Sequence, residues 1–363
     1  MRWWVVSGGE RVGEASVQQA TIVYELHAAG RGTITLAGLP VPISEVERIE
    51  GGDEIGSPDH LLFVSQGRGS GDDVGDAVTV TVEDGMGRLA QALAWPDTAG
   101  TWSAQAEDVY TGRASGAILH YIGANVGDAA LPARRYGYEW LQLPADPNLG
   151  ETIEARARFD NLLTLLADIA VWGGVVFGFD GAALVIREAV AQPRELSESL
   201  GTASKVSWSY AAPKATSVVA GGAGEGTARV IVQVQSSAAI AVHGWREVFL
   251  NDARFSNVES LTERARAALG ARRGGWAADV TLVDATLPGL RYGVDWRLGD
   301  TFPVRLPDGV HTMMAKGVVL KYDKSGGVRV SVSLVESRGQ NSPAWLSNDG
   351  LALDRRVRLL ETR

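Results

Sequence analysis

The sequence predicts an α+β fold, mainly β, in which two β-rich domains flank a small α+β domain. Three observations predict it. Segments rich in β-branched residues, separated by Gly/Asp clusters, occupy both ends of the chain. Apolar stripes at helical spacing concentrate between them. The most regular period-two alternation in the chain, over residues 318–334, closes the second β-rich region. At 363 residues the chain also exceeds one ordinary core, so two or three domains are expected.

Residues 1–95 form the first β-rich domain. The segments 21-TIVYEL-26, 33-TITLAG-38, 61-LLFVSQ-66 and 78-VTVTVED-84 read as strands. Val78, Val80 and Val82 alternate with Thr79 and Thr81, which gives one buried and one wetter face. The stretch 66-QGRGSGDDVGD-76 reads as a flexible, polar connector.

Residues 96–195 form the α+β middle domain. In 111-TGRASGAILHYIGANVG-127, Ala114, Ile118, Tyr121 and Ile122 share one helical face. In 158-RFDNLLTLLADIAVWGG-174, Phe159, Leu162, Leu163, Leu166, Ile169 and Ala170 form a second stripe, stopped by Gly173-Gly174. A hairpin follows at 175-VVFGFDGAALVIRE-188, with Asp180-Gly181 as its turn.

Residues 196–340 form the second β-rich domain, with one inserted helix. That helix is expected to start at Ser256, where Glu259 completes a capping box. Val258, Leu261, Ala265, Ala268 and Leu269 supply its buried face, and Gly270 ends it. Phe302, Val304 and Leu306 alternate before the turn Pro307-Asp308-Gly309. Val318, Leu320 and Tyr322 then lead into the turn 323–327, and Val328, Val330, Val332 and Leu334 return. Such closely spaced antiparallel strands suggest a barrel or sandwich. Residues 341–363 carry Trp345, Leu346, Leu351, Leu353, Val357, Leu359 and Leu360, too few apolar groups to fold alone. This C-terminal extension is expected to dock on its own chain or on a neighbour.

Composition narrows the function classes. The balance of 34 basic against 43 acidic residues gives a net charge of -9, which opposes a grip on nucleic acid. The chain has no cysteine, hence neither disulfides nor a zinc–cysteine site. The longest apolar run, 169-IAVWGGVVFGF-179, is shorter than the roughly 18 residues of a spanning helix, so no stable membrane insertion is expected. The opening MRWWVVSGGERVG has neither a cationic region nor a cleavage pattern, so no secretory signal is expected.

The stretch 217-SVVAGGAGEGTARVIVQV-234 is the strongest chemical candidate, with Gly221, Gly222, Gly224 and Gly226 in six positions. A phosphate-binding glycine loop leads from a strand into a helix, whose amides meet the anion. Here it leads from one strand into another, which reads as a turn or bulge. His27, His60, His120, His243 and His311 make no HExxH or other close ligand pair. The acidic stretch 72-DDVGD-76 lacks the ligand spacing of a calcium loop. Glu139, Glu151, Glu154 and Asp146 form no recognisable acid–base pair. Trp95, Trp102, Trp140, Trp172, Trp208, Trp245, Trp276 and Trp296 are spread over different elements, which favours packing anchors over a sugar-binding face. No catalytic, cofactor-binding or metal-binding residue is assigned, and no cofactor or enzymatic activity is expected.

The order of features carries a resemblance. The run 213-PKATSVVAGGAGEGTARV-230, then 245-WREVFLNDAR-254, 258-VESLTERARAALGARRG-274 and 293-GVDWRLGDTFPVRL-306 resembles tail-tip hub proteins, minor tail proteins of long-tailed bacteriophages of actinobacteria. The upstream pieces 110-YTGRASGAILHYIGANVG-127 and 158-RFDNLLTLLADIA-170 are similar to the middle region of that family. The resemblance implies two β-barrel-like domains flanking a small α+β domain. It also implies a homotrimeric baseplate hub whose two barrels per chain present six similar surfaces to a hexameric tube ring.

The implied partners are further copies of the chain, a distal tail or tail-tube protein, other tail-tip or receptor-binding proteins, and a tape-measure protein. DNA would pass without specific binding. The implied location is the virion tail tip, after assembly in the host bacterial cytoplasm. Two other readings are a tail-associated cell-wall hydrolase and a carbohydrate-binding tail adhesin.

Overall fold

The alternating N-terminal segments fold as strands in the computed structural model, which describes residues 2–52, 60–69, 77–97, 104–253, 257–325 and 327–337. They are β1 (Arg2–Ser7), β2 (Glu10–Glu14), β3 (Val17–Glu25), β4 (Arg31–Ala37), β5 (Arg48–Gly52), β6 (His60–Gly69) and β7 (Ala77–Glu83). Val80 and Val82 are buried while Thr79 and Thr81 stay half-exposed, as the alternation requires. One expectation changes: residues 66–69 continue β6 and are not connector. The opening residues pair as the hairpin β1–β2. The acidic stretch 72–76 lies outside the described residues.

The middle region contains α1 (Gly85–Leu89), β8 (Leu93–Ala94), β9 (Asp108–Arg113), α2 (Ala114–Asn125), α3 (Pro132–Arg135), β10 (Thr152–Ala157), β11 (Asp160–Asn161), α4 (Leu162–Gly173), β12 (Val176–Asp180) and β13 (Ala183–Arg187). Both expected helical stripes are buried. Ile118, Tyr121 and Ile122 on α2 meet Leu162, Leu166 and Ile169 on α4 in one core. Each fully buried leucine or isoleucine contributes about 1.5–3 kcal/mol. Phe159 is not part of the stripe. It precedes the helix at φ 62° and is 41% exposed, and α4 starts only after Asn161, whose side chain accepts from Thr164 N. Residues 111–113 likewise pair in β9 with β10 before α2 begins.

The two helices approach through small residues. A Cβ added at Gly173 would lie 2.0 Å from Ala114 Cβ. Gly173→Ala is therefore expected to lower stability by about 1–3 kcal/mol through overpacking. Urea melts would check this. The double variant with Ala114→Gly should recover part of the loss, and additive losses would exclude the close approach as the cause.

The remaining elements are β14 (Ala203–Ala211), β15 (Ser217–Gly221), β16 (Ile231–Gln235), α5 (Ser237–His243), β17 (Glu247–Asn251), α6 (Val258–Gly270), β18 (Gly275–Leu282), β19 (Thr301–Leu306), β20 (Gly309–Asp323) and β21 (Gly327–Glu336). A 12-stranded sheet runs β14-β18-β21-β20-β3-β4-β7-β6-β5-β1-β2, with β19 paired to β20. β20 and β3 are antiparallel with Leu320 opposite Ile22, so strands from the two ends of the chain are neighbours. Met313–Leu320 are buried on both faces, as suits a strand in the middle of a sheet. The fold is mainly β, with 46% strand against 19% helix.

The chain divides into two compact units. The first comprises Met1–Ser207 with Asp279–Leu334, and the second Trp208–Ala278 with the stretch from Val335. In the second unit β16, β15 and β17 form a sheet, with β15 antiparallel to β16 and parallel to β17. Leu261, Ala265 and Ala268 of α6 pack on Val218 and Ala220. The cap of α6 differs from expectation. Asn257 Oδ1 accepts from Glu259 N at 2.7 Å, Ser256 lies outside the described residues, and Val258 is exposed instead of buried. The expected extension 341–363 also lies outside the described residues.

Candidate functional site

The first unit holds a cleft of about 100 Å³, open at its mouth. Its walls come from the end of β3, the start of β6, the first turn of α1, the β12–β13 hairpin and the loop 292–298. Aromatic rings are layered along it. His60 stacks at 5.8 Å on both Trp3 and Tyr24, and Tyr24 stacks at 6.2 Å on Tyr292. Trp296 continues the series between Tyr292 and Phe302.

The polar groups of the cleft are held by protein partners. Tyr24 Oη and His60 Nδ1 share a hydrogen bond of 2.7 Å. Asp84 accepts from Gly30 N and Gly87 N, Arg297 pairs with Asp180 at 2.7 Å, and Arg187 pairs with Asp300 at 2.6 Å. Burial pushes His60 down to about 4 and Asp84 up to about 6, and it raises both Tyr24 and Tyr292. Among the described residues the carboxylates of the lining are Glu25, Asp84 and Asp180, and its imidazole is His60. Its chemistry is that of a buried polar joint fastening several elements together.

The glycine-rich stretch connects β15 to β16, strand to strand, as its sequence context indicates. Gly224 sits at φ 97°, where a Cβ would lie 2.6 Å from Ala228 O, so only glycine fits the turn. Arg229 donates to the carbonyls of Gly221 and Gly222 at 3.0 Å and also bonds Asn251. A guanidinium from the chain itself thus occupies the position above the loop.

The other sequence candidates are dispersed. His27 is buried and stacked on Phe177, His120 pairs with Asp108 at 2.9 Å, and His311 with Asp308 at 2.8 Å. His243 ends α5, a short helix capped by Ser236, whose side chain accepts from Ala239 N. Asp146 accepts from Ser115 Oγ, Glu154 pairs with Arg156, and Glu139 accepts from Gly137 N. Among the described residues no three His, Cys, Asp or Glu side chains are grouped to hold a metal ion.

The second unit leaves large apolar side chains in water. The face of its sheet opposite α6 presents Ile231 and Phe249, the latter 55% exposed, among Gln233, Glu247 and Asn251. Val242 on α5 is 75% exposed, and Trp208, Tyr210 and Trp245 are each about half exposed. These exposed apolar side chains belong to a unit whose buried core is small.

No curated protein shows significant similarity to this chain. Its fold is similar to that of a 43 kDa tail protein of prophage MuSo2 from Shewanella oneidensis, with a TM-score of 0.62 at 14% identity over 93% of this chain and 98% of that one. A tail protein from Neisseria meningitidis MC58 is similar at TM-score 0.62 and 14% identity, over 94% and 98%. The E. coli c3393 protein, a type VI secretion component described as structurally similar to the T4 tail proteins gp27 and gp5, is similar at TM-score 0.50 and 9% identity, over 93% and 78%. The fold is thus a phage tail-protein fold. The family model of Siphovirus ReqiPepy6 Gp37-like proteins matches residues 68–334, and the chain belongs to that family.

Proposed function

We propose that the chain is the tail-tip hub of a phage virion: a homotrimeric ring that joins the tail tube to the distal host-recognition apparatus and surrounds the DNA channel. The observation that carries this reading is the likeness of nearly the whole chain to tail proteins, and to a type VI secretion component itself likened to gp27 and gp5. On this reading residues 1–95 and 196–340 supply the two barrel-like regions, 96–195 the middle domain, and 341–363 docks on its own chain or a neighbour. Its neighbours are the distal tail or tail-tube protein, receptor-binding proteins and the tape-measure protein.

Physical arguments agree with a passive conduit. A basic bore would bind phosphates and slow passage, whereas a chain of net charge -9 supplies a wall that does not. Closed rings of one chain use two different complementary patches per copy. The exposed Ile231–Phe249 face of the second unit is available as one of them. Light scattering on the purified chain and symmetric reconstruction of tails test the proposal. Three copies around the tail axis are expected. A monomer at high concentration that is also missing from purified tails would rule the hub out.

A further inference from the structure

The tryptophans that are far apart in sequence are not all apart in space. In the second unit, Trp208 of β14 and Trp276 of β18 meet edge to face, with ring centroids 5.3 Å apart and planes at 69°. Tyr210, two residues along β14, lies 5.2 Å from Trp276. Tyr210 also stacks on His243, and its hydroxyl is 3.1 Å from His243 Nε2. Trp208 is 50% and Tyr210 47% exposed.

We propose that Trp208, Tyr210, His243 and Trp276 form a shallow binding site for the pyranose rings of a neutral saccharide. This goes beyond the hub reading and does not depend on it, since a single chain carries the whole group.

Three features select the ligand class. The first is size. An aromatic side chain covers roughly 150–250 Å² when fully buried, so two half-exposed rings offer about 200 Å². That suits one or two sugar rings and falls well below the roughly 800 Å² per partner of a stable protein interface. The second is amphipathy. A pyranose has an apolar C–H face and a rim of hydroxyls. The indole rings meet the face, while the Tyr210 hydroxyl and the His243 imidazole can exchange hydrogen bonds with the rim. The third is charge. None of the four side chains carries a fixed charge, and the other neighbour of Trp208 on the same face of β14 is Val206, so nothing in the group selects an ionic ligand.

The test uses the full chain and a panel of neutral tetrasaccharides built on glucose, galactose, mannose and N-acetylglucosamine. Saturation-transfer NMR reads contact with sugar C–H protons, and calorimetry reads affinity. At least one tetrasaccharide should bind saturably. Trp208→Ala should then weaken binding about tenfold, equivalent to ~1.4 kcal/mol. Tyr210→Phe keeps the ring and loses only the hydroxyl, and it should weaken binding by about two- to threefold. Trp245→Ala removes an exposed indole outside the group and should change nothing. Circular dichroism of each variant establishes that it is folded. The proposal is overturned if no member of the panel binds, or if binding survives Trp208→Ala. It is equally overturned if Trp208→Ala alters only the number of chains in the assembly, which would make the group a protein contact.

Discussion

Asp300→Ala is expected to lower the stability of the folded chain by about 3–5 kcal/mol, the range for breaking a buried ion pair from one side. Asp300 is 3% exposed and takes four donors. Arg187 Nη1 donates at 2.6 Å and Val190 N at 2.9 Å to one oxygen. Gln192 Nε2 at 3.1 Å and Arg297 N at 2.9 Å donate to the other. The carboxylate thereby ties the end of β13 and the segment after it to the loop before β19, where Thr301 N also donates to Val190 O and Thr301 O accepts from Gln192 N. Alanine takes the carboxylate from a largely buried guanidinium, which keeps the carbonyls of Glu188 and Leu298, and leaves three further donors without their acceptor. Asparagine keeps one acceptor oxygen but turns an NH₂ toward donors, so Asp300→Asn should fall between wild type and alanine. Urea denaturation of the three proteins checks the order. A second cycle with Arg187→Met tests the cause: the double variant should lose less than the sum of the two singles. A loss below ~1 kcal/mol for Asp300→Ala would show that water replaces the carboxylate easily.

This junction was not legible in the sequence, for a physical reason. Asp300 and Arg187 are 113 positions apart, and nothing local marks an aspartate as the acceptor for four distant donors. What the sequence does report is local periodicity. Phe302, Val304 and Leu306 alternate and are buried, and the stripes of α2 and α4 are buried at the expected spacing. The strand-to-strand context of the glycine cluster was equally readable, because turn chemistry involves only neighbouring residues. Errors fell where a pattern ended. Phe159 and Val258 have the right spacing but sit just before or at the first turn of a helix, where they are still exposed. The pairing of β3 with β20 joins residues about 300 positions apart and follows from no local pattern.

The aromatic group of the second unit was misread for the same reason. Trp208, Trp276 and His243 belong to three elements, so the sequence shows them as scattered, and only the fold makes them one surface. The stacked rings of the cleft have the same character. Trp3, Tyr24, His60 and Tyr292 come from four segments, and burial in the stack lowers His60 and raises the two tyrosines.

Acidification from neutral pH to about pH 3 is expected to remove about 5 kcal/mol of stability through three buried groups, His27, His60 and Asp84. Burial, with Lys316 nearby, lowers His27 from 6.5 to about 3. Its Nε2 lies 3.4 Å from Phe177 N, while its buried Nδ1 has no hydrogen-bond partner, so an added proton finds no acceptor. Burial likewise lowers His60 to about 4, opposed in part by Asp180. Both folded values lie below the unfolded one. The unfolded chain therefore binds two more protons as pH falls below 6.5, and stability is lost. Asp84 acts in the opposite direction. Burial raises it to about 6 against its backbone hydrogen bonds, so between about pH 6 and 4 the folded chain holds a proton that the unfolded chain has released. The net difference in that window is one proton, a slope of about 1.4 kcal/mol per pH unit. Variants separate the contributions. His27→Asn suits the left-handed backbone there, at φ 55°, and should flatten the slope toward zero. Asp84→Asn removes the opposing group and should roughly double the slope, whatever it does to stability at pH 7. Thermal melts between pH 7 and 4 provide the measurement. A wild-type midpoint that rises between pH 7 and 4 would mean that the two imidazoles are hydrated and titrate near their ordinary value, leaving only the opposing contribution of Asp84.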